Sequence, residues 1–212
     1  MLKKNIRYLI YLIVTLSVLP AFAGSYEDYF RAIESNDHRA VAALLARGFD
    51  PNTRDERGQV GLFLAFRGGS LDVAEVLATH PQLQVDAVNT LGETPLMMAA
   101  LRGHLQWCRR MLDLGAKLER QGWTPLHYAA TGPEYRVVEL LLNRGAVIDA
   151  LAPDRSTPLM MAANYGSEAS VGLLLSRGAA IGARNARGQR AADLARGAGR
   201  DALADRLERT TR

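Results

Sequence analysis

The chain has 212 residues, 48% of them hydrophobic and 23% charged; such a composition is globular, too apolar for a disordered tail, and the length suits one domain rather than two. Its single cysteine excludes an internal disulfide framework and a multi-thiolate zinc site. The net charge of +4 would suit a nucleic-acid binder, but Lys3, Lys4 and Arg7 supply +3 before residue 24, so residues 24–212 carry only +1.

The first segment in chain order is a leader. Residues 1–7 (MLKKNIR) are basic, Tyr8–Leu19 (YLIYLIVTLSVL) is an apolar run, and Pro20 is followed by Ala21-Phe22-Ala23. A positive start, an apolar middle and small residues at the cleavage positions predict a signal peptide over 1–23, removed before Gly24. The alternative is an uncleaved signal anchoring the protein in the inner membrane, although Pro20 and the small residues leave the apolar part below the roughly 20 residues of a spanning helix. Gly24, not cysteine, stands directly after Ala23, so lipid anchoring is excluded, and Lys117 is the only lysine after the leader. This short leader and arginine bias look bacterial, and the expected destination is the periplasm. In that oxidising compartment Cys108 has no partner within the chain.

Beyond the leader the chain repeats itself. Three segments coincide: ETPLMMAALRGHLQWCRRMLDLGA (93–116), WTPLHYAATGPEYRVVELLLNRGA (123–146) and STPLMMAANYGSEASVGLLLSRGA (156–179). Thr94, Thr124 and Thr157 are 30 and 33 residues apart, and Gly115, Gly145 and Gly178 keep the same offsets. Each motif residue has a physical reason. Threonine caps a helix by accepting a backbone N–H, and proline fits the first helical position, where the N–H has no partner anyway. Leucine and the Ala-Ala pair face neighbouring helices, the small alanines allowing close stacking. The glycine after the second helix takes the left-handed conformation that ends it.

These residues resemble the ankyrin repeat, whose signature is T-P-L-H-x-A-A followed by L-L-x-x-G-A. The resemblance implies an all-α solenoid of stacked helix–turn–helix units joined by short β-turn or hairpin loops. Flanking copies are more degenerate. Val60-Gly61-Leu62-Phe63 stands for T-P-L-H, the stretch 41–52 (VAALLARGFDPN) keeps only the second half, and Arg190-Ala191-Ala192-Asp193 opens the last unit. The predicted ankyrin domain, 24–212, thus has about six units: an N-terminal cap at 25–57, then 58–89, 90–118, 119–150, 151–183, and a C-terminal cap at 184–209. Polar, degenerate ends are expected of capping repeats. The step from Thr94 to Thr124 is three residues short, and the loss falls in 117–121, so that protruding turn should be stunted beside Trp123.

Chemistry finds little support. His38, His80, His104 and His127 show no helical ligand spacing, so they read as structural and no metal or cofactor is expected. Cys108 reads as a buried thiol, and Met97, Met98, Met160 and Met161 as core filler in matching slots. Met97 and Met160 stand where the family has histidine, so those two turns should each lose a hydrogen bond. No phosphate loop, dinucleotide fingerprint or nucleophile elbow is present. The protein is therefore expected not to be an enzyme. Its arginines are interleaved with Asp and Glu rather than drawn into a one-sign stripe, which argues against nucleic acid.

What the resemblance implies instead is protein binding on a concave face made of turn residues and the exposed side of each first helix. Carried over by position, that face includes Arg67, Glu93, Leu101, Arg102, Arg120, Gln121, Trp123, Asp154, Asn164 and Tyr165, together with Gln59, Ser156, Thr131 and Gly132. The aromatics and arginines among them are the residue types that dominate binding hot spots. The expected function is an exported interaction module, monomeric and free of the membrane once its leader is removed. It would serve as an accessory or scaffold for an exported enzyme. The alternatives are an immunity-type inhibitor of a toxin and a self-assembling structural repeat.

Overall fold

A computed structural model describes residues 24–210; the predicted signal peptide, 1–23, lies outside the described residues. Among the described residues twelve helices follow one another in pairs. They are α1 (24–34) and α2 (His38–Ala46), α3 (Gly61–Gly68) and α4 (Leu71–Ala78), and α5 (Pro95–Leu101) and α6 (Leu105–Asp113). After these come α7 (Pro125–Thr131) and α8 (Tyr135–Asn143), α9 (Pro158–Asn164) and α10 (Glu168–Ser176), and α11 (Ala191–Gly197) and α12 (Asp201–Thr210). No strand forms among the described residues; an isolated antiparallel bridge joins Arg54 to Val60. The helix–turn–helix reading of the repeats is thus what the chain adopts. The contacts divide it into two compact units, 24–56 with Val60–Leu83, and Arg57–Gln59 with 84–210, where the length alone suggested one. The division is physically reasonable because each repeat of such an array contacts only its neighbours.

The N-terminal unit is built on aromatic burial. Tyr29, Phe63 and Phe66 are fully buried. Tyr29 packs against Phe30 and Phe49 and donates its hydroxyl to the Pro51 carbonyl at 3.1 Å. Gly61, standing where the motif has proline, has its reason here. A β-carbon at Gly61 would press into the Tyr29 hydroxyl and ring, so no proline ring fits. The helix α3 then starts at Val60 with no side-chain cap. Helix α4 is capped from elsewhere: the Asn36 side-chain oxygen accepts the Val73 N–H at 3.2 Å while its amide donates to Asp72 at 2.8 Å.

In the C-terminal unit the short first helices α5, α7, α9 and α11 pack side by side. Their motif residues are the core: Leu96, Ala99, Ala100, Leu126, Ala129, Ala130, Leu159, Ala162 and Ala163 are all buried. Alanine matters because the backbones come very close. A β-carbon on Gly166, in the turn after α9, would collide with the Ala130 carbonyl oxygen. Cys108 and Met111 form the buried side of α6, and burial pushes the Cys108 thiol up to about 12, the inert state expected of a packing cysteine.

Candidate protein-binding face

The face is made by the helix starts and the protruding turns that precede them. Thr94 and Thr157 accept the backbone N–H of Met97 and Met160 at 3.3 and 3.4 Å, the caps expected from the motif. Thr124 behaves differently, and His127 is the reason. The imidazole is buried, with Nε2 3.1 Å from the Ser156 carbonyl, which can only accept. Nε2 therefore carries the proton, and Nδ1 accepts from both the Thr124 N–H (3.2 Å) and its hydroxyl (2.9 Å). Burial holds the His127 pKa below its ordinary value, so the ring is neutral. At the two methionine turns the loss is partial: the Met97 and Met160 sulfurs accept the Thr94 and Thr157 N–H groups at 3.4 Å. The local bond survives in weakened form, and what disappears is the long bond to the next turn. In the last pair Asp193 does this work, its carboxylate accepting the Arg190 N–H at 2.7 Å.

Three turns of this unit are closed hairpins. The N–H groups of Asn89, Ala152 and Asn185 donate to the carbonyls of Glu93, Ser156 and Gln189, each at 3.0 Å. The 117–123 loop has no counterpart of this bond among the described residues, consistent with the three missing residues. Glu119 still ties it down by accepting the Val147 N–H at 2.9 Å, the job done for neighbouring turns by Asp86 on Lys117 and Asp149 on Ala180. The shortened loop leaves a cleft of about 220 Å³ lined by Leu101, Trp123, His127, Tyr128, Thr131 and Met161. The Trp123 and His127 rings meet edge to face at 5.3 Å. At its side Tyr128 donates to Glu93 at 2.8 Å, and Asn89 donates to the other Glu93 oxygen at 2.7 Å. Burial and the Glu93 carboxylate raise the Tyr128 phenol well above its ordinary pKa.

The sequence-predicted residues divide accordingly. Leu101 and Trp123 meet in the cleft. Tyr165 is 64% exposed, Arg102 and Gln121 are exposed, and Arg120, Asp154 and Asn164 are partly so. Glu93 is half-buried and engaged by Asn89 and Tyr128, and Asp154 is engaged by Ser156. Arg67 belongs to the N-terminal unit, in a separate hollow with Phe30, Glu34 and Asp55. Gln59, Ser156 and Gly132 are corrections: all three are buried. Ser156 is drawn in by Asp154, whose two oxygens accept its N–H and hydroxyl. Gly132 is pressed against the Leu101 carbonyl. His127 and Met161, expected to be structural, form cleft walls, as does Tyr128, which the sequence analysis does not single out. For Tyr128 and Met161 the signal is the variable x of T-P-L-H-x-A-A, whereas His127 is the motif's own histidine. Charge is also uneven, with residues 24–83 holding six arginines against nine carboxylates and residues 84–212 seventeen basic groups against thirteen acidic.

The family described as "Ankyrin repeats (3 copies)" matches residues 29–121, 82–152 and 117–185. Among curated proteins the chain is 33% identical over 100 residues to mouse "Ankyrin repeat and SAM domain-containing protein 6", covering 45% of this chain and 11% of that protein. It is 27% identical over 146 residues to human "Transient receptor potential cation channel subfamily A member 1", covering 64% and 13%. It thus spans only a small part of those relatives' lengths. Among solved structures it is similar to a chain of the Bdellovibrio bacteriovorus complex between predatory endopeptidase Bd0816 and immunity protein Bd3460. The TM-score is 0.73 with 26% identity, covering 86% of this chain and 97% of that one. With its repeats matched from residue 29 to residue 185 and its helix pairs in place, the chain belongs to the ankyrin repeat family of protein-interaction modules.

Proposed function

We propose that this chain is an exported, non-catalytic ankyrin-repeat protein that acts in the periplasm as an immunity-type inhibitor, binding and silencing an exported endopeptidase. The observation that carries this reading is the likeness along 97% of a chain taken from an endopeptidase–immunity protein complex. Export is supported by the basic start, apolar run and Ala21-Phe22-Ala23 of the leader. Among the described residues no helix is long and apolar enough to cross a membrane, and no group of His, Cys, Asp or Glu could hold a metal ion. Partner recognition falls on the cleft face of the C-terminal unit, and the protein works as a monomer.

The test is capture from a periplasmic extract through a C-terminal tag, followed by assay of whatever peptidase is retained, with and without added protein. A captured endopeptidase whose activity falls on addition supports the inhibitor. A partner whose activity is unchanged replaces it with the accessory or scaffold role. N-terminal sequencing should begin at Gly24; a soluble protein beginning at Met1 would overturn export.

A further inference from the structure

Two observations on the cleft face converge. The first is a strained turn. In the turns of the C-terminal unit the left-handed position is held by glycine at Gly92, Gly122 and Gly188, with φ of 78°, 91° and 75°. In the Ala152–Ser156 hairpin the same position is Arg155, at φ 62°. That backbone is disfavoured for any residue with a β-carbon, and the Arg155 side chain recovers nothing inside the protein. It is exposed, and its guanidinium has no acceptor among the described residues. Strain held without internal compensation points to a use outside the fold.

The second is the chemistry of the cleft. The polar side chains that α7 contributes to its wall are bonded internally: Tyr128 to Glu93, both His127 nitrogens, and the Thr131 hydroxyl to the His127 carbonyl at 2.9 Å. With those groups committed, most of the remaining wall is the apolar surface of Leu101, Met161 and the Trp123 ring. The hairpin bearing Arg155 adjoins this wall, because Ser156 accepts from His127 and Pro153 packs over Gly122. The nearby acids Glu93 and Asp154 are engaged by internal donors, whereas neither Arg120 nor Arg155 has an internal acceptor among the described residues. The face therefore presents an apolar socket beside unsatisfied cations.

We infer that the cleft receives one apolar side chain from an acidic loop of a partner protein, with Arg155 and Arg120 meeting the carboxylates that flank it. This rests on the reading of the chain as a protein-binding module and names the chemistry of its partner. Desolvated apolar anchors ringed by charge are the usual centre of such interfaces.

The test uses a phage library of short disulfide-closed peptide loops panned on the folded full chain, so its failure leaves the periplasmic capture experiment untouched. Enriched loops should share one Leu, Phe or Met flanked by Asp or Glu. A synthetic consensus loop should lose about tenfold or more in affinity on Thr131→Phe, which fills the cleft, and on Arg155→Gly. Arg155→Gly should meanwhile melt at or above the parent temperature, so that weaker binding cannot come from a damaged fold. A basic or wholly polar consensus, enrichment no better than on the Thr131→Phe protein, or binding indifferent to Arg155→Gly would overturn the inference.

Discussion

In residues 24–83 the helix starts carry few caps of their own: Val60 makes no side-chain bond, and the third N–H of α4 is served by Asn36 from another helix turn. In residues 84–212 the corresponding positions are Thr94, Thr124 and Thr157, each engaged within its own turn. Burial runs the other way. The fully buried aromatics Tyr29, Phe63 and Phe66 all belong to the first region, while the second packs on Leu, Ala and Met. One helix–turn–helix plan is thus held by local hydrogen bonds where the motif is intact and by aromatic volume where it is degraded. A degenerate repeat has exchanged one source of stability for another rather than simply lost one.

The contrast can be broken most forcefully at Tyr29. Tyr29→Ala should cost about 3–5 kcal/mol by the cavity it leaves, read as a lower urea midpoint; a loss near that of a single helix cap would end the comparison. Gly61→Ala, with its β-carbon driven into the Tyr29 hydroxyl, should cost about 1–3 kcal/mol by overpacking. On the other side His127→Ala strands the buried Thr124 N–H and Ser156 carbonyl, which predicts a loss of about 2–3 kcal/mol.

The same histidine makes stability pH-dependent. Its folded pKa is depressed below 6.5 by burial, so below that pH the unfolded chain binds the proton first. Stability should be full above about 6.5 and fall as the pH drops towards the folded pKa. His127→Gln should flatten that acid limb of a stability–pH curve. Thr157→Ala should cost about 1 kcal/mol as a lost cap. An effect of the same size carries the opposite sign: Arg155→Gly should stabilise by about 1 kcal/mol on relief of left-handed strain, seen as a higher melting temperature.

Much of this architecture was legible in the chain itself. The T-P-L…A-A and L-L-x-x-G-A periods placed the helix pairs, and the residues they marked as packing (Leu96, Ala99, Leu126, Ala129, Leu159 and Ala162) are buried. The missing residues in 117–121 pointed to an open side near Trp123, where the cleft lies. The motif reading was weaker wherever a residue's role depends on a partner some thirty positions away. Glu93 belongs by position to the binding face, but Tyr128, 35 residues on, donates to it. Ser156 belongs there by position too, but Asp154 and His127 hold it inside. The motif predicts a lost bond at the methionine turns, but a thioether sulfur accepts the same N–H.

The repeat is encoded locally, because capping, glycine termination and apolar periodicity act over a few residues and recur in register. Which groups remain free to act is settled by packing between repeats. A side chain on the outer face is available to a partner only if no neighbouring repeat has already satisfied or covered it, and that accounting is closed in space, between residues that the one-dimensional pattern keeps apart.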